Sequence, residues 1–237
     1  MKFSVCMAVY NGEQFVQAQL ESILSQLTDN DEVIIVDDKS QDRSIEIIQS
    51  LRDPRITLFF NEKNKGVVKS FERALRKASG DIIFLSDQDD VWMPGKVDWI
   101  QNALNSPKVL GVVSDAVVVG PDLEVIHESL FALRKSGPGL LRNFYKNSFV
   151  GCCMALKKEA KKYVLPFPSC VTMHDEWIGA ALSYHGQVLF IPQPLVQYRR
   201  HQSTVTNLFH ASSIRYIIVK RIKMACMLVK IIFWSKR

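Results

Sequence analysis

The chain has 237 residues, 47% of them hydrophobic and 23% charged, with a formal net charge of +6; that is enough apolar surface for one sizeable core, or a core with a small appendage. The positive excess is local: Arg199, Arg200, Arg215, Lys220, Arg221, Lys223, Lys230, Lys236 and Arg237 follow Glu176, after which no acid occurs, and ahead of that point acids outnumber bases. This distribution argues against a nucleic-acid partner, because nucleic-acid-binding domains spread their basic residues over a folded face among stacking aromatics.

At the amino terminus Met1-Lys2 leads into a short apolar run that soon meets Asn11-Gly12-Glu13; this is not a signal-peptide pattern, and the expected location is cytoplasmic. The run over 3–9 is continuous and rich in β-formers, and the type recurs at 32–36, 56–60 and 82–85, as buried strands require. Between these runs lie stretches with helical spacing: Phe15, Leu20, Ile23, Leu24 and Leu27; Ile45, Ile47, Ile48 and Leu51; Val67, Phe71, Ala74, Leu75 and Ala78. Ser40 to Asp42 is the entry to the second helix, and Ser79-Gly80 closes the third. Such β-α alternation predicts an α/β fold with a mostly parallel central sheet flanked by helices, and ligands at the carboxyl ends of the strands.

Beyond Asp90, Met93-Pro94-Gly95 reads as a turn, 96–105 as a helix and 109–113 as a strand; 120–139 carries no firm period, and 136–139 reads as a loop. The segment 148–154, with Gly151-Cys152-Cys153, reads as a buried strand of small residues. Five cysteines without CxxC spacing argue against a disulfide framework or a zinc site, and are expected reduced and mostly buried. A helix follows over 177–184, then a last strand before Tyr198. From 212 to 234 an apolar helical pattern is broken by Arg215, Lys220, Arg221, Lys223 and Lys230. Its uncharged stretches are far shorter than the ~20 residues needed to cross a bilayer. The expected division is a catalytic domain over 1–205 and a basic amphipathic C-terminal helix over 206–237. That helix would lie on the inner membrane surface, or dock on the catalytic domain or on a second copy as a homodimer.

Asp37-Asp38 ends the second strand and Asp87-Gln88-Asp89-Asp90 the fourth, so five carboxylates collect at one edge of the predicted sheet. A divalent cation carrying a diphosphate would offset that crowding, and hard oxygen ligands suit Mg2+ or Mn2+. The plainer alternative is that each aspartate caps a turn.

These residues carry a family resemblance. In order along roughly 3–205, the chain has Ser4-Val5-Cys6-Met7-Ala8-Val9-Tyr10-Asn11-Gly12, Val36-Asp37-Asp38-Lys39-Ser40, Asn64-Lys65-Gly66, Ser86-Asp87-Gln88-Asp89-Asp90-Val91-Trp92 and His174-Asp175-Glu176-Trp177. This set resembles the family 2 glycosyltransferases of GT-A fold, especially bacterial rhamnosyltransferase-like members. The resemblance implies that Ala8 and Tyr10 line the base and ribose pocket, that Asp38 accepts a hydrogen bond from a pyrimidine, that Asp87 meets the ribose and that Asp89 holds the metal. It implies a dTDP- or UDP-sugar donor, rhamnose being one candidate sugar, and a cell-surface glycan or lipid-linked acceptor. It further suggests His201 as a metal ligand.

Glycosyl transfer also needs a base for the acceptor hydroxyl, and a carboxylate is the usual solution. Asp175 is the first candidate and Glu176 the second; both also suit the amino terminus of the following helix. A single base implies inversion at the anomeric carbon. Arg199 or Arg200 could pair with phosphate oxygens, and Lys65 could meet the nucleotide from the turn before the third helix. Two other classes compete. A nucleotide-sugar-binding module without catalysis would tolerate loss of Asp175. A pyrimidine nucleotidyltransferase would want a basic glycine-rich loop after the first strand, where Tyr10-Asn11-Gly12-Glu13 offers no cation.

Overall fold

Alternate residues of the first strands face two different helical layers, and this divides the molecule. The computed structural model describes residues 1–201, 225–227 and 229–233. Strands β1 (Phe3–Val9), β2 (Glu32–Asp37), β3 (Ile56–Phe60) and β4 (Ile82–Ser86) alternate with helices α1 (Val16–Leu24), α2 (Ser44–Ser50) and α3 (Val67–Lys77). The four strands pair in parallel in the order β3-β2-β1-β4. Val5, Met7, Val33, Ile35 and Phe84 point to α1 and α2, meeting Val16, Leu20, Ile23 and Ile48. Cys6, Ile34, Val36, Ile83 and Leu85 point the other way, to Phe71, Ala74 and Leu75 of α3. The period of two in each strand thus feeds two cores, and each fully buried Leu, Ile or Phe adds roughly 1.5–3 kcal/mol.

The second half departs from simple alternation. After β5 (Val91–Trp92) and α4 (Lys96–Ala103), β6 (Val109–Val119) runs well past the predicted end at 113. The stretch 120–139 holds β7 (Val125–His127) and α5 (Leu130–Arg134), whose start Ser129 caps by accepting from Ala132 N at 3.0 Å. Helix α6 (Leu140–Tyr145) follows. The predicted strand over 148–154 is a loop and a 3-10 turn, Gly151–Cys153, leading into β8 (Met154–Lys157). Small size there reflects close packing rather than extension: a Cβ on Gly151 would stand 2.6 Å from His174 Nε2. Strand β8 sits antiparallel between β4 and β6, so the sheet is parallel in its first half and mixed in its second. Helices α7 (Lys161–Val164) and α8 (His174–His185) precede the last strand, β9 (Gln187–Arg199).

Strand β9 pairs with β6 in parallel, but the register jumps from Ser114–Ile191 to Asp115–Pro194. Pro192 and Pro194 fall at this bulge, where a missing N–H is tolerated. Past the bulge, β9 also pairs with β5, which delivers its carboxyl end to the loop after β4. Trp177, Ile178 and Leu182 of α8 pack on the α3 side of the sheet. Of the predicted tail helix, the described residues 225–227 and 229–233 are helical, with Met227 and Ile231 buried in that same core; the remainder lies outside the described residues. No helix among the described residues is long and apolar enough to cross a membrane. All five cysteines are free, with Cys6, Cys152 and Cys153 buried.

At the end of the sheet away from the aspartates, Glu32 accepts from Lys2 Nζ at 2.8 Å, from Ser4 Oγ at 2.5 Å and from Ser79 N at 2.7 Å. Burial alone would raise its pKa, but these bonds prevail and hold it at about 2. A carboxylate depressed in the folded state stabilises above its unfolded pKa of about 4.3, and that contribution fades as pH falls toward 2. Glu32→Gln should therefore cost about 1–2 kcal/mol at pH 7. In urea titrations the gap between wild type and variant should narrow at pH 3.5; an equal gap at both pH values would contradict this assignment.

Candidate active site

Three strand-end loops are tied into one rim by side chains reading backbone. Asn11, in the left-handed region at φ 48°, donates its N–H to Ser40 Oγ at 3.0 Å and accepts from Gln41 N at 2.8 Å. Gly12 N meets Ser44 Oγ at 2.7 Å, while Glu13 and Asp42 exchange bonds with the opposite loop. The loop after β4 is held by one polar line along α1 and the turn that follows it. Buried Gln19 donates to Ser86 Oγ at 2.7 Å and Asp87 O at 3.0 Å, Ser22 Oγ accepts from Trp92 N, and Gln26 Oε1 accepts from Lys96 N.

The two aspartates after β2 have different surroundings. Asp37 accepts from Lys39 and Ser40 N–H groups, so the turn-capping reading describes it. Asp38 is buried; its Oδ1 accepts from Asn61 Nδ2 and Lys65 N, both at 2.8 Å, and its Oδ2 from Gly66 N at 2.7 Å. It thereby organises the turn into α3, whose φ of 82° at Gly66 suits glycine alone. Lys65 contributes its backbone to that bond and leaves its side chain exposed. Ala8 is half-buried at the end of β1, and Tyr10 is exposed on the rim.

At the end of β4, Asp87 and Asp89 are half-buried and Asp90 is fully buried. Burial, then the charges of Asp90, Asp89 and Asp175, push Asp87 well above the usual carboxylate range; burial, then Asp89, pushes Asp90 up to about 8. Asp90 Oδ1 accepts from Arg199 N at 2.9 Å, and its Oδ2 has no hydrogen-bond partner among the described residues.

A residue that sequence reasoning missed faces this group. Lys96 is fully buried, donates from Nζ to Cys152 O at 2.8 Å and stands 4.4 Å from the centroid of the Trp92 ring. Burial lowers its pKa while Cys153, Cys152, Asp90 and Asp87 oppose that shift. A cation in the first turn of a helix is disfavoured by the dipole as well as by desolvation, and that position was its only legible signal. Asp87, Asp90 and Cys152 bring ligand atoms within 4.8 Å of one another. The hydrogen bond with Cys153, then burial, keeps the Cys152 thiol well above its ordinary pKa, which suits no hard cation.

Donors that do suit one meet nearby. His201 Nε2 and Asp89 Oδ2 are 2.8 Å apart, and Phe15 lies against the His201 ring at 4.8 Å. A carboxylate and an imidazole converging at the rim fit Mg2+ or Mn2+, the rest of the shell coming from phosphate and water. Arg199 is buried and turned inward: Nε donates to Asp89 O at 2.7 Å, Nη1 to Pro121 O, and the guanidinium lies over Phe15. It therefore braces the loop that carries Asp89. Arg200, half-exposed, meets the Tyr198 hydroxyl at 3.4 Å.

Asp175 lies in the first turn of α8, buried, with Oδ1 accepting from Glu176 N at 2.7 Å. It lies close enough to Asp87 to raise that carboxyl's pKa, so the candidate base and the candidate ribose contact share one site. His174 stacks on Phe71 at 3.9 Å, and burial lowers its pKa to about 3. Trp177 Nε1 donates to Val164 O at 2.8 Å, which fixes the start of α8.

A family model described as glycosyl transferase family 2 matches residues 4–164. An uncharacterized glycosyltransferase of Nostoc is 25% identical over 211 residues, covering 85% of this chain and 65% of the relative. The dTDP-rhamnosyl transferase RfbG of Shigella flexneri is 26% identical, covering 83% of this chain and 72% of its own. The Escherichia coli UDP-Glc:alpha-D-GlcNAc-diphosphoundecaprenol beta-1,3-glucosyltransferase WfgD is 36% identical over 95 residues, 40% of this chain and 38% of the relative. Among solved structures, S. aureus TarS in complex with UDP-GlcNAc matches at TM-score 0.74 and 18% identity, covering 97% of this chain and 67% of that one. The Pyrobaculum calidifontis mannosyltransferase PcManGT, in complex with GDP-Man and Mn2+, matches at TM-score 0.65 and 21% identity, covering 85% and 57%. At these identities the structures establish a shared fold, the GT-A arrangement that the motifs imply. The chain spans less than two thirds of the length of several of these relatives.

If Lys96 balances the buried carboxyls, Lys96→Met should lower unfolding stability by about 3 kcal/mol, the scale for stripping one partner from a buried charge pair. Adding Asp90→Asn should restore part of that loss. Additive losses in a thermal or urea double-mutant cycle would separate Lys96 from the acid cluster.

Proposed function

The chain belongs to glycosyl transferase family 2, and we propose that it is an inverting, metal-dependent glycosyltransferase that moves a sugar from a dTDP- or UDP-linked donor to a hydroxyl of a cell-surface glycan or lipid-linked acceptor. One juxtaposition carries the reading: Asp89 and His201, far apart in sequence, touch at 2.8 Å on the same rim where Asp175 faces Asp87. The residues read as metal-side and base-side thus gather near the carboxyl ends of the strands, where ligands bind in such sheets.

Asp89 and His201 are the residues that would hold Mg2+ or Mn2+, and such a cation, when bound, neutralises charge on the departing diphosphate. Ala8, Tyr10 and Asp38 offer the base and ribose side, with Asp87 toward the ribose and Lys65 free to reach the nucleotide from the turn before α3. Arg199 serves the donor by bracing Asp89. Asp175, held by α8, takes the acceptor hydroxyl's proton from the face opposite the leaving group, so attack proceeds with inversion. Rhamnose is one candidate sugar, supported by the likeness to RfbG; a UDP-sugar is equally supported by the likeness to WfgD. A binding module without catalysis would not need Asp175 near Asp87.

The domain reading is a catalytic unit over 1–205 with a helix over 206–237 that holds the enzyme on the inner face of the membrane. In the described part, Met227 and Ile231 anchor in the core while Val229, Lys230 and Phe233 are exposed, as a helix docked on the enzyme and turned toward lipid would be.

Asp89→Ala should abolish Mn2+-dependent UDP or dTDP binding in calorimetry, whereas Asp175→Asn should keep nucleotide binding and lose at least 100-fold in transfer (on the scale of ~10²–10⁴ for a general base). Full transfer by Asp175→Asn would exclude it as the base. Removal of the residues after Thr206 should reduce co-sedimentation with anionic vesicles; undiminished co-sedimentation would refute the membrane role.

A further inference from the structure

The geometry points to Gln88 as a positioning residue of the donor site, a latch that fixes the Tyr10 side of the pocket to the aspartate loop. The inference rests on the donor reading above. Gln88 stands between Asp87 and Asp89, and its amide reads one residue's backbone twice: Oε1 accepts from Tyr10 N at 2.8 Å and Nε2 donates to Tyr10 O at 3.1 Å. A side-chain amide used in this way stands in for one rung of a sheet ladder. Only one orientation of the amide satisfies both bonds, since the flipped form would set N–H against N–H and oxygen against oxygen.

The neighbourhood is shaped for the latch. A Cβ on Gly12 would lie 2.6 Å from Gln88 Oε1 and 2.7 Å from its Cδ, so glycine there leaves the space the amide occupies. Both ends of the latch are themselves fixed. The loop after β1 is bound to Ser40 and Ser44, and Asp87 O is held by Gln19 at 3.0 Å. Holding a glutamine in one rotamer costs side-chain entropy, so two backbone bonds on a half-exposed rim are a device for position more than for stability. What they fix is the separation between Tyr10, on the base side, and Asp87 and Asp89, on the ribose and metal side. Its two bonds go to the Tyr10 backbone, so Gln88 acts through the residues on either side.

The two residues supply their own control. Gly12→Ala should displace the Gln88 amide, while a Gln88→Ala background removes the three atoms nearest the added methyl. Binding of UDP and of dTDP in the presence of Mn2+ is measured by calorimetry, together with KM and kcat for donor hydrolysis. Gln88→Ala and Gly12→Ala should each weaken nucleotide binding about fivefold to tenfold and raise donor KM, with kcat changed less than twofold. The double variant should be no weaker than Gln88→Ala alone. Gln88→Glu, which can accept from Tyr10 N but cannot donate to Tyr10 O, should behave like Gln88→Ala. If wild type binds a nucleotide and Gln88→Ala binds it equally well, or if the two single effects add in the double variant, the latch is refuted and the donor reading stands. If wild type binds neither nucleotide with Mn2+, both readings fall together.

Discussion

Crowding of carboxylates at the end of β4 is the constraint around which the remainder is arranged. Three aspartates follow that strand within four residues, with Asp90 fully buried and Asp175 close enough to raise Asp87 further. Like charges in a poorly solvated rim repel by several kcal/mol unless opposed. The chain answers them with one buried lysine and two polar contacts: Lys96 from α4, the Arg199 backbone N–H on Asp90 and the His201 ring beside Asp89.

Meeting that constraint needs segments distant in sequence, and the irregular half of the fold supplies them. The bulge at Pro192 and Pro194 lets β9 follow β6 and then reach β5, so Arg199 and His201 arrive beside Asp89. Strand β8, running against its neighbours, leads back from the Gly151–Cys153 turn, whose Cys152 carbonyl receives Lys96. The parallel half contributes the loops; the mixed half contributes their counter-charges and the helix that carries Asp175.

How much of this was legible follows from the range of each signal. The β-α alternation through β4 could be read because each element buries an apolar run of its own, and the aspartates could be found because they end such runs. The turn over Gly151–Cys153 was misread as a strand, since small buried residues fit either close packing or extension. Strand β8's direction left no mark, because hydrophobic pattern carries no polarity. Lys96 and Gln88 were passed over for a related reason: a lysine opening a helix and a glutamine in a polar run are ordinary until the partners, Cys152 O and the Tyr10 backbone, are known. Arg199 shows the converse. Its place beside the motif suggested a phosphate partner, yet burial gives its guanidinium two carbonyls and the Phe15 ring.

The two sides of the proposed site are held by different means, loop-to-loop bonds on one and a helix on the other, and both bear on the order of events in the proposed reaction. On the donor side, strand-end loops are joined by side-chain-to-backbone bonds spanning Asn11, Gly12, Gln19, Asp38 and Gln88, so a nucleotide meets a rim already assembled and little ordering is required of it. On the acceptor side, Asp175 sits in the first turn of α8, a helix whose start is fixed by the Trp177 anchor. If the proposed roles hold, a preassembled donor side and a base carried on a helix favour donor binding first. In that order the acceptor would enter against a filled donor site, its hydroxyl the last group to be placed.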